Sequence, residues 1–141
     1  MDNLYMLLAS VLGISLFEWG SQSSDIASIQ ESQNPLPPCP DSPNCIRITR
    51  SVNAPVDVVF KASELALQSM KPAKLASLPE EYRLESVFKV FIFHDDMVLQ
   101  CSEKDARTTY LHIRSASRVG YSDLGVNTKR VKRFLRRLRT Q

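Results

Sequence analysis

The spacing of apolar residues changes repeatedly along this chain, and each change marks an element. Leu4 to Phe17 is an apolar run broken only by Ser and Gly. Gly20 to Pro38 is rich in Ser, Gln and Asn and ends in Pro35-Leu36-Pro37-Pro38, a composition that favours an extended, weakly folding tether. Ile46-Arg47-Ile48-Thr49-Arg50-Ser51-Val52 then alternates apolar and polar side chains, as a half-buried strand does. Asn53-Ala54-Pro55 reads as a helix opening, with Asn53 as the cap and Pro55 in the first turn. Val56, Val59, Phe60, Ser63, Leu67 and Met70 follow at helical spacing until Lys71-Pro72 stops the helix.

The second half is richer in strands. Residues 74–80 carry no clear period, but Tyr82, Leu84 and Ser86 alternate with charged residues and predict a strand over 81–86. Phe88 to Phe93 predicts another, interrupted by His94-Asp95-Asp96, and Met97 to Cys101 resumes the apolar pattern. Glu103-Lys104-Asp105-Ala106 reads as a polar turn. Thr108 to Ser115 is a further strand with Tyr110, His112 and Arg114 on one face and Leu111 and Ile113 on the other. Asn127 to Arg139 is a helix whose Val131, Phe134, Leu135 and Leu138 form the core-facing stripe. The expected fold class is α+β, one antiparallel sheet of about four strands with two helices on one face. An N-terminal apolar helix (1–19) and an extended linker (20–38) precede this α+β domain (39–141).

The fourteen residues of the first apolar run fall short of the roughly 20 that cross a bilayer core. Asp2 and the lack of Lys or Arg before the run argue against an ordinary signal peptide. A short membrane anchor or a docking helix is the expectation, with an atypical cleaved signal as the alternative. Charge points the same way. The net charge of +3 conceals seven basic and no acidic side chains within residues 129–141, leaving eleven basic against fifteen acidic groups before them. The basic face of the last helix, Lys129, Arg130, Lys132, Arg133, Arg136, Arg137 and Arg139, suits anionic headgroups or an acidic partner. No aromatic residue interleaves with it, so nucleic acid is not expected.

Cys39 and Cys45 bracket a turn-rich loop with two prolines, and five intervening residues can close a small disulfide ring. Two free thiols are the alternative. Zinc is disfavoured because no second Cys pair or close His pair completes four ligands. A disulfide would place the domain in an oxidising extracytoplasmic or lumenal compartment; an organelle membrane complex is the other possibility.

Two polar clusters are candidates for a site. Between Arg114 and Asn127 a strand ending in Arg114, Ser115, Ser117 and Arg118 turns into a helix start, where Ser122 or Asp123 can act as cap. Helix starts are usually capped internally, so Asp123 satisfying those groups as a structural lock is the expectation; the alternative is that two arginines beside free helix N–H groups form an anion pocket. Asp95 and Asp96 are the natural ion-pair partners for Arg114 and Arg118. On a strand, however, the two carboxylates face opposite ways, which disfavours a metal. Gly-rich phosphate loops, nucleophile elbows and paired-His zinc motifs are all lacking, so no catalytic residue and no cofactor is expected.

Three motifs together, Pro38-Cys39-Pro40-Asp41-Ser42-Pro43-Asn44-Cys45, Phe93-His94-Asp95-Asp96 and the run from Arg114 to Asn127, resemble a family of domains of unknown function numbered 1499. The likeness spans about residues 36–139. It implies that the three motifs belong to one site or one structural lock, and it carries no activity. The chain departs from the family at Ile46-Arg47-Ile48, where Val-Ser-Ser is frequent, and at His94, where an apolar residue is common. That second departure argues against His94 as a shared base. The functional expectation is a non-enzymatic, membrane-associated accessory protein docking on a membrane protein complex or an anionic membrane surface. The rival is a small-ligand or anion-binding domain, or an enzyme, with a site lined by Asp95, Asp96, Arg114 and Arg118.

Overall fold

The alternating stretches of sequence pair off side by side in space. The computed structural model describes residues 33–120 and 123–141, so the apolar run at 4–17 and Ser122 lie outside the described residues. Five strands, β1 (Cys45–Val52), β2 (Lys74–Leu78), β3 (Arg83–Val90), β4 (Phe93–Asp105) and β5 (Thr108–Ser117), form one antiparallel sheet in the order β1-β5-β4-β3-β2. Helix α1 (Val56–Ser69) carries the chain from β1 at one edge to β2 at the other, and helix α2 (Val126–Arg139) follows β5. The α+β class and the two helices are as the sequence indicates; the sheet has five strands instead of about four.

Helix α1 buries Val56, Val59, Phe60, Ala66 and Leu67, the i, i+3, i+4 pattern of a helix lying on a sheet. Against it and α2 pack Leu84, Met97, Leu99, Leu111 and Ile113, none more than 1% exposed, with Phe134 of α2 fully enclosed. Burying each such side chain stabilises the fold by roughly 1.5–3 kcal/mol.

The local differences have physical causes. Asn53 does not cap α1; Pro55 occupies the N-cap position, and no side chain accepts from the first turn. Pro55 fixes the extended entry to the helix, and its carbonyl starts the helical ladder by accepting the Val59 N–H at 3.0 Å. β2 was not anticipated because only Leu75 and Leu78 are even half-buried in this edge strand. The strands expected at 81–86 and from Phe88 are one strand that begins only at Arg83, after a short 3-10 turn at Pro79–Glu81, and the chain reverses at Phe91-Ile92. His94-Asp95-Asp96 therefore lies inside β4 and does not interrupt a strand. The reversal after β4 sits at Ala106-Arg107, where Asp105 Oδ1 accepts the Arg107 N–H at 2.9 Å.

The sheet face opposite the helices is partly covered by the chain ahead of β1. Residues 34–38, read from sequence as linker, lie against it. Leu36 is 2% exposed, and Asn34 donates to the Ile48 carbonyl and to Thr49 Oγ1. Arg47 donates to the carbonyls of Asn34 and Leu36, and Arg114 to that of Pro37. Thr49 Oγ1 in turn bonds His112 Nδ1 at 2.8 Å, and Ser102 Oγ meets Nε2 at 3.1 Å.

Candidate functional site

The loop closed by Cys39 and Cys45 is the first wall of the candidate site. The two sulfurs form a disulfide with the Cα atoms 5.7 Å apart, a cross-link suited to an oxidising compartment. The ring holds Asn44 in place: Ser42 Oγ donates to Asn44 Oδ1, and Asn44 Nδ2 donates to the Gly120 carbonyl. The Asn44 carbonyl accepts the Ser117 N–H at 3.0 Å and Asn127 Nδ2 at 3.2 Å. The first motif is thus tied to the third.

The second motif joins them from below. The β4–β5 register sets Asp95 opposite Ser117 and Met97 opposite Ser115. Asp95, Ser115 and Asn127 are each no more than 2% exposed. Asp95 Oδ2 accepts Arg130 Nη2 at 2.7 Å, with both side chains more than nine-tenths buried. Arg130 Nη1 donates to Asn127 Oδ1 at 2.8 Å and to Ser115 Oγ at 3.3 Å, and Ser115 Oγ donates to Asn127 Oδ1 at 2.7 Å. The Asn127 amide nitrogen reaches Asp123 Oδ2 at 2.7 Å and Ser117 Oγ at 2.9 Å. Beneath the guanidinium lies the Phe88 ring, 4.9 Å from Arg130 Cζ.

Asp123 closes the helix start. Its carboxylate accepts the Gly125 N–H at 2.7 Å and the Asn127 N–H at 3.1 Å, so these first donors of α2 are satisfied from within. Burial pushes this carboxyl up, but the hydrogen bonds from Asn127 and Gly125 outweigh it and hold it below the usual carboxylate range. Among the described residues, the buried side-chain polar atom lacking a partner is Ser63 Oγ on α1, outside this cluster.

Sequence reasoning paired the acids and arginines incorrectly in part. Asp96 and Arg118 do meet, through two bonds of 2.9 Å, yet both are close to half exposed. Asp95 turns to the helix side and takes Arg130, a residue the sequence placed on the outer basic surface. Arg114 reaches the Pro37 carbonyl and no carboxylate in that cluster. Lys129, Lys132, Arg133, Arg136 and Arg137 are exposed as expected, and Arg139 is half-buried. Asn44 and Phe88 were missed. The motif around Asn44 offered a signal for the first; Phe88 gives none beyond being aromatic.

The remaining titratable groups offer little chemistry. The Cys101 thiol is buried and pushed up to about 12 by burial. His112 is fully buried and lowered to about 4, first by burial and then by the Arg47 charge, so it stands neutral. Among the described residues no group of three His, Cys, Asp or Glu side chains converges as a metal site would require. Beside the cluster, α2, the end of α1 and the end of β3 enclose an open cleft of about 620 Å³. Six of its lining residues are basic, Lys71, Lys89, Lys129, Arg130, Arg133 and Arg136, and none is acidic.

These features define a two-layer α+β domain with a disulfide-tethered polar lock between the last strand and the last helix. The chain belongs to the family described as a protein of unknown function (DUF1499), whose model matches residues 35–138. No curated protein matches it. Among solved structures it is similar to the di-domain ARO/CYC BexL from the BE-7585A biosynthetic pathway, with a TM-score of 0.51 at 12% identity. That likeness is one of fold, and it covers 67% of this chain and 45% of the other, less than half its length.

Proposed function

We propose that the protein is a non-enzymatic, membrane-associated accessory domain that acts by docking. The observation that carries this reading is the saturation of the Asp95–Arg130–Asn127–Ser115 cluster. The residues best suited to bind a ligand spend their hydrogen bonds and charges on one another, while the basic face of α2 stays exposed. A domain whose polar cluster is paired internally and whose positive charge lies outside meets its partner through that surface. Among the described residues no helix is long and apolar enough to cross a membrane, so attachment falls to the N-terminal apolar run and to the surface of the domain.

The rival reading, an anion or small-ligand site lined by Asp95, Asp96, Arg114 and Arg118, has less support because each of the four already holds a partner inside the chain. Fractionation of cells expressing the full chain tests the proposal. It is expected in the membrane pellet, with the pelleted share falling when residues 1–20 are deleted. Recovery of the full chain in the supernatant at physiological salt would refute the proposal.

A further inference from the structure

The hairpin joining β3 to β4 is built against the usual rules. Its two-residue turn is Phe91-Ile92, between Val90 and Phe93, which pair with each other. Tight hairpin turns favour Asn-Gly or Gly-containing pairs because the first turn residue needs a positive φ. Here that residue is a phenylalanine held at φ +57°, a conformation unfavourable for a bulky side chain. The sequence accepts this and then leaves the apolar groups in water: Phe91 is 84% exposed, Ile92 68% and Phe93 49%. Phe91 and Ile92 at the turn, with the half-exposed Phe93 beside them, add little to the core, and such patches mark an interaction surface.

What surrounds the tip identifies the partner. Lys89 stands two residues before Phe91, opposite His94 in the register, and forms one wall of the basic cleft. Lys71, Lys129, Arg133 and Arg136 line the rest, with no acidic residue among them. Arg130, the remaining cation there, is committed to Asp95. A projecting aromatic and aliphatic tip beside a wall of cations matches a bilayer with anionic headgroups. The rings and the isoleucine enter the boundary between headgroups and acyl chains, where aromatic residues are favoured, and the cations lie against lipid phosphates. A protein groove able to take the tip would have to be concave, apolar and rimmed by acids all at once.

We infer that the Phe91-Ile92-Phe93 tip is a membrane-inserting finger and that the cleft cations, Lys89 and Lys129 foremost, select anionic lipid. The inference rests on the membrane-associated reading and names the lipid class and the residues that meet it. It is tested by sedimenting the full chain with phosphatidylcholine vesicles, with and without phosphatidylglycerol. Replacing Phe91→Ser together with Ile92→Ser is expected to weaken partitioning onto anionic vesicles about tenfold or more. Lys89→Glu with Lys129→Glu is expected to erase the preference for anionic over neutral vesicles. Both pairs are exposed, so melting curves should stay close to wild type. Unchanged partitioning of the tip variant, or an unchanged lipid preference in the charge variant, overturns the finger. If the wild type ignores vesicles but stays on native membranes until they are treated with protease, its partner is a protein; the finger fails and the membrane-associated reading stands. Failure to bind either one defeats both.

Discussion

Severing the Asp95–Arg130 pair is the sharpest perturbation the fold offers. Both side chains are more than nine-tenths buried, and their contact is 2.7 Å. Removing one member leaves a charge in the core with no counter-ion, at a cost of about 3–5 kcal/mol against a total stability of roughly 5–15 kcal/mol. Asp95→Leu and Arg130→Met are therefore each expected to lower the melting temperature by more than about 10 °C. Replacing both at once, Asp95→Leu with Arg130→Met, removes both charges and keeps apolar volume above Phe88. The double variant should recover most of the loss, because well-packed apolar groups can match a buried ion pair. Ser115 still donates to Asn127 Oδ1 without the guanidinium, so that part of the cluster survives. Urea unfolding of the four proteins gives the coupling energy directly. Single losses below about 1 kcal/mol that add in the double variant would mean solvent-screened charges, as in an open site, and would refute the closed lock.

Other expected outcomes follow from the same geometry. His112 is held neutral and lowered to about 4, against 6.5 for a free histidine, so the unfolded chain binds a proton there that the folded one does not. Stability should be full above pH 6.5 and fall as the pH drops toward 4, by about 3 kcal/mol in all; urea midpoints across that window should fall in wild type, and an equal fall in His112→Gln would rule out the histidine as the cause. Reducing the Cys39–Cys45 bond, or replacing both by Ser, should cost about 2 kcal/mol for so short a ring, while Cys101 in the folded protein should resist alkylation at pH 8. Asp123→Ala removes the closure of α2 and should cost about 1–2 kcal/mol. Arg118→Ala breaks only a half-exposed pair and should cost under about 1 kcal/mol; the reverse ranking by thermal melting would show that the outer pair, not Asp123, holds the turn.

The helices and the edge strand β1 were legible because their apolar residues recur at a regular spacing. Val59, Phe60 and Leu67, or Ile46 and Ile48, repeat at spacings that only one element type can satisfy. β2 was not, because an edge strand with both faces largely in water has no hydrophobic period to display. The β3–β4 turn was read as strand because Phe91 and Ile92 continue the apolar run and lack turn chemistry; the same residues now look functional for that reason. In the polar cluster, membership of Asp95, Ser115, Ser117, Asp123 and Asn127 could be read from the motifs, but partner choice could not. The alternation of faces along β4 already separated Asp95 from Asp96. What decided that Asp95 takes Arg130 was the docking of α2, 35 residues away, which brings the buried guanidinium of that helix over Phe88.

Thiol labelling on native membranes tests most directly whether the domain meets the membrane through its hairpin. Cys39 and Cys45 are bonded and Cys101 is buried, so a single added cysteine reports its own surroundings. Phe91→Cys is expected to react slowly with a water-soluble maleimide on native membranes and quickly once detergent releases the protein. Glu80→Cys, exposed beyond the far end of β3, should react at the same rate in both states. Equal, rapid labelling of both positions on intact membranes would contradict docking through the tip.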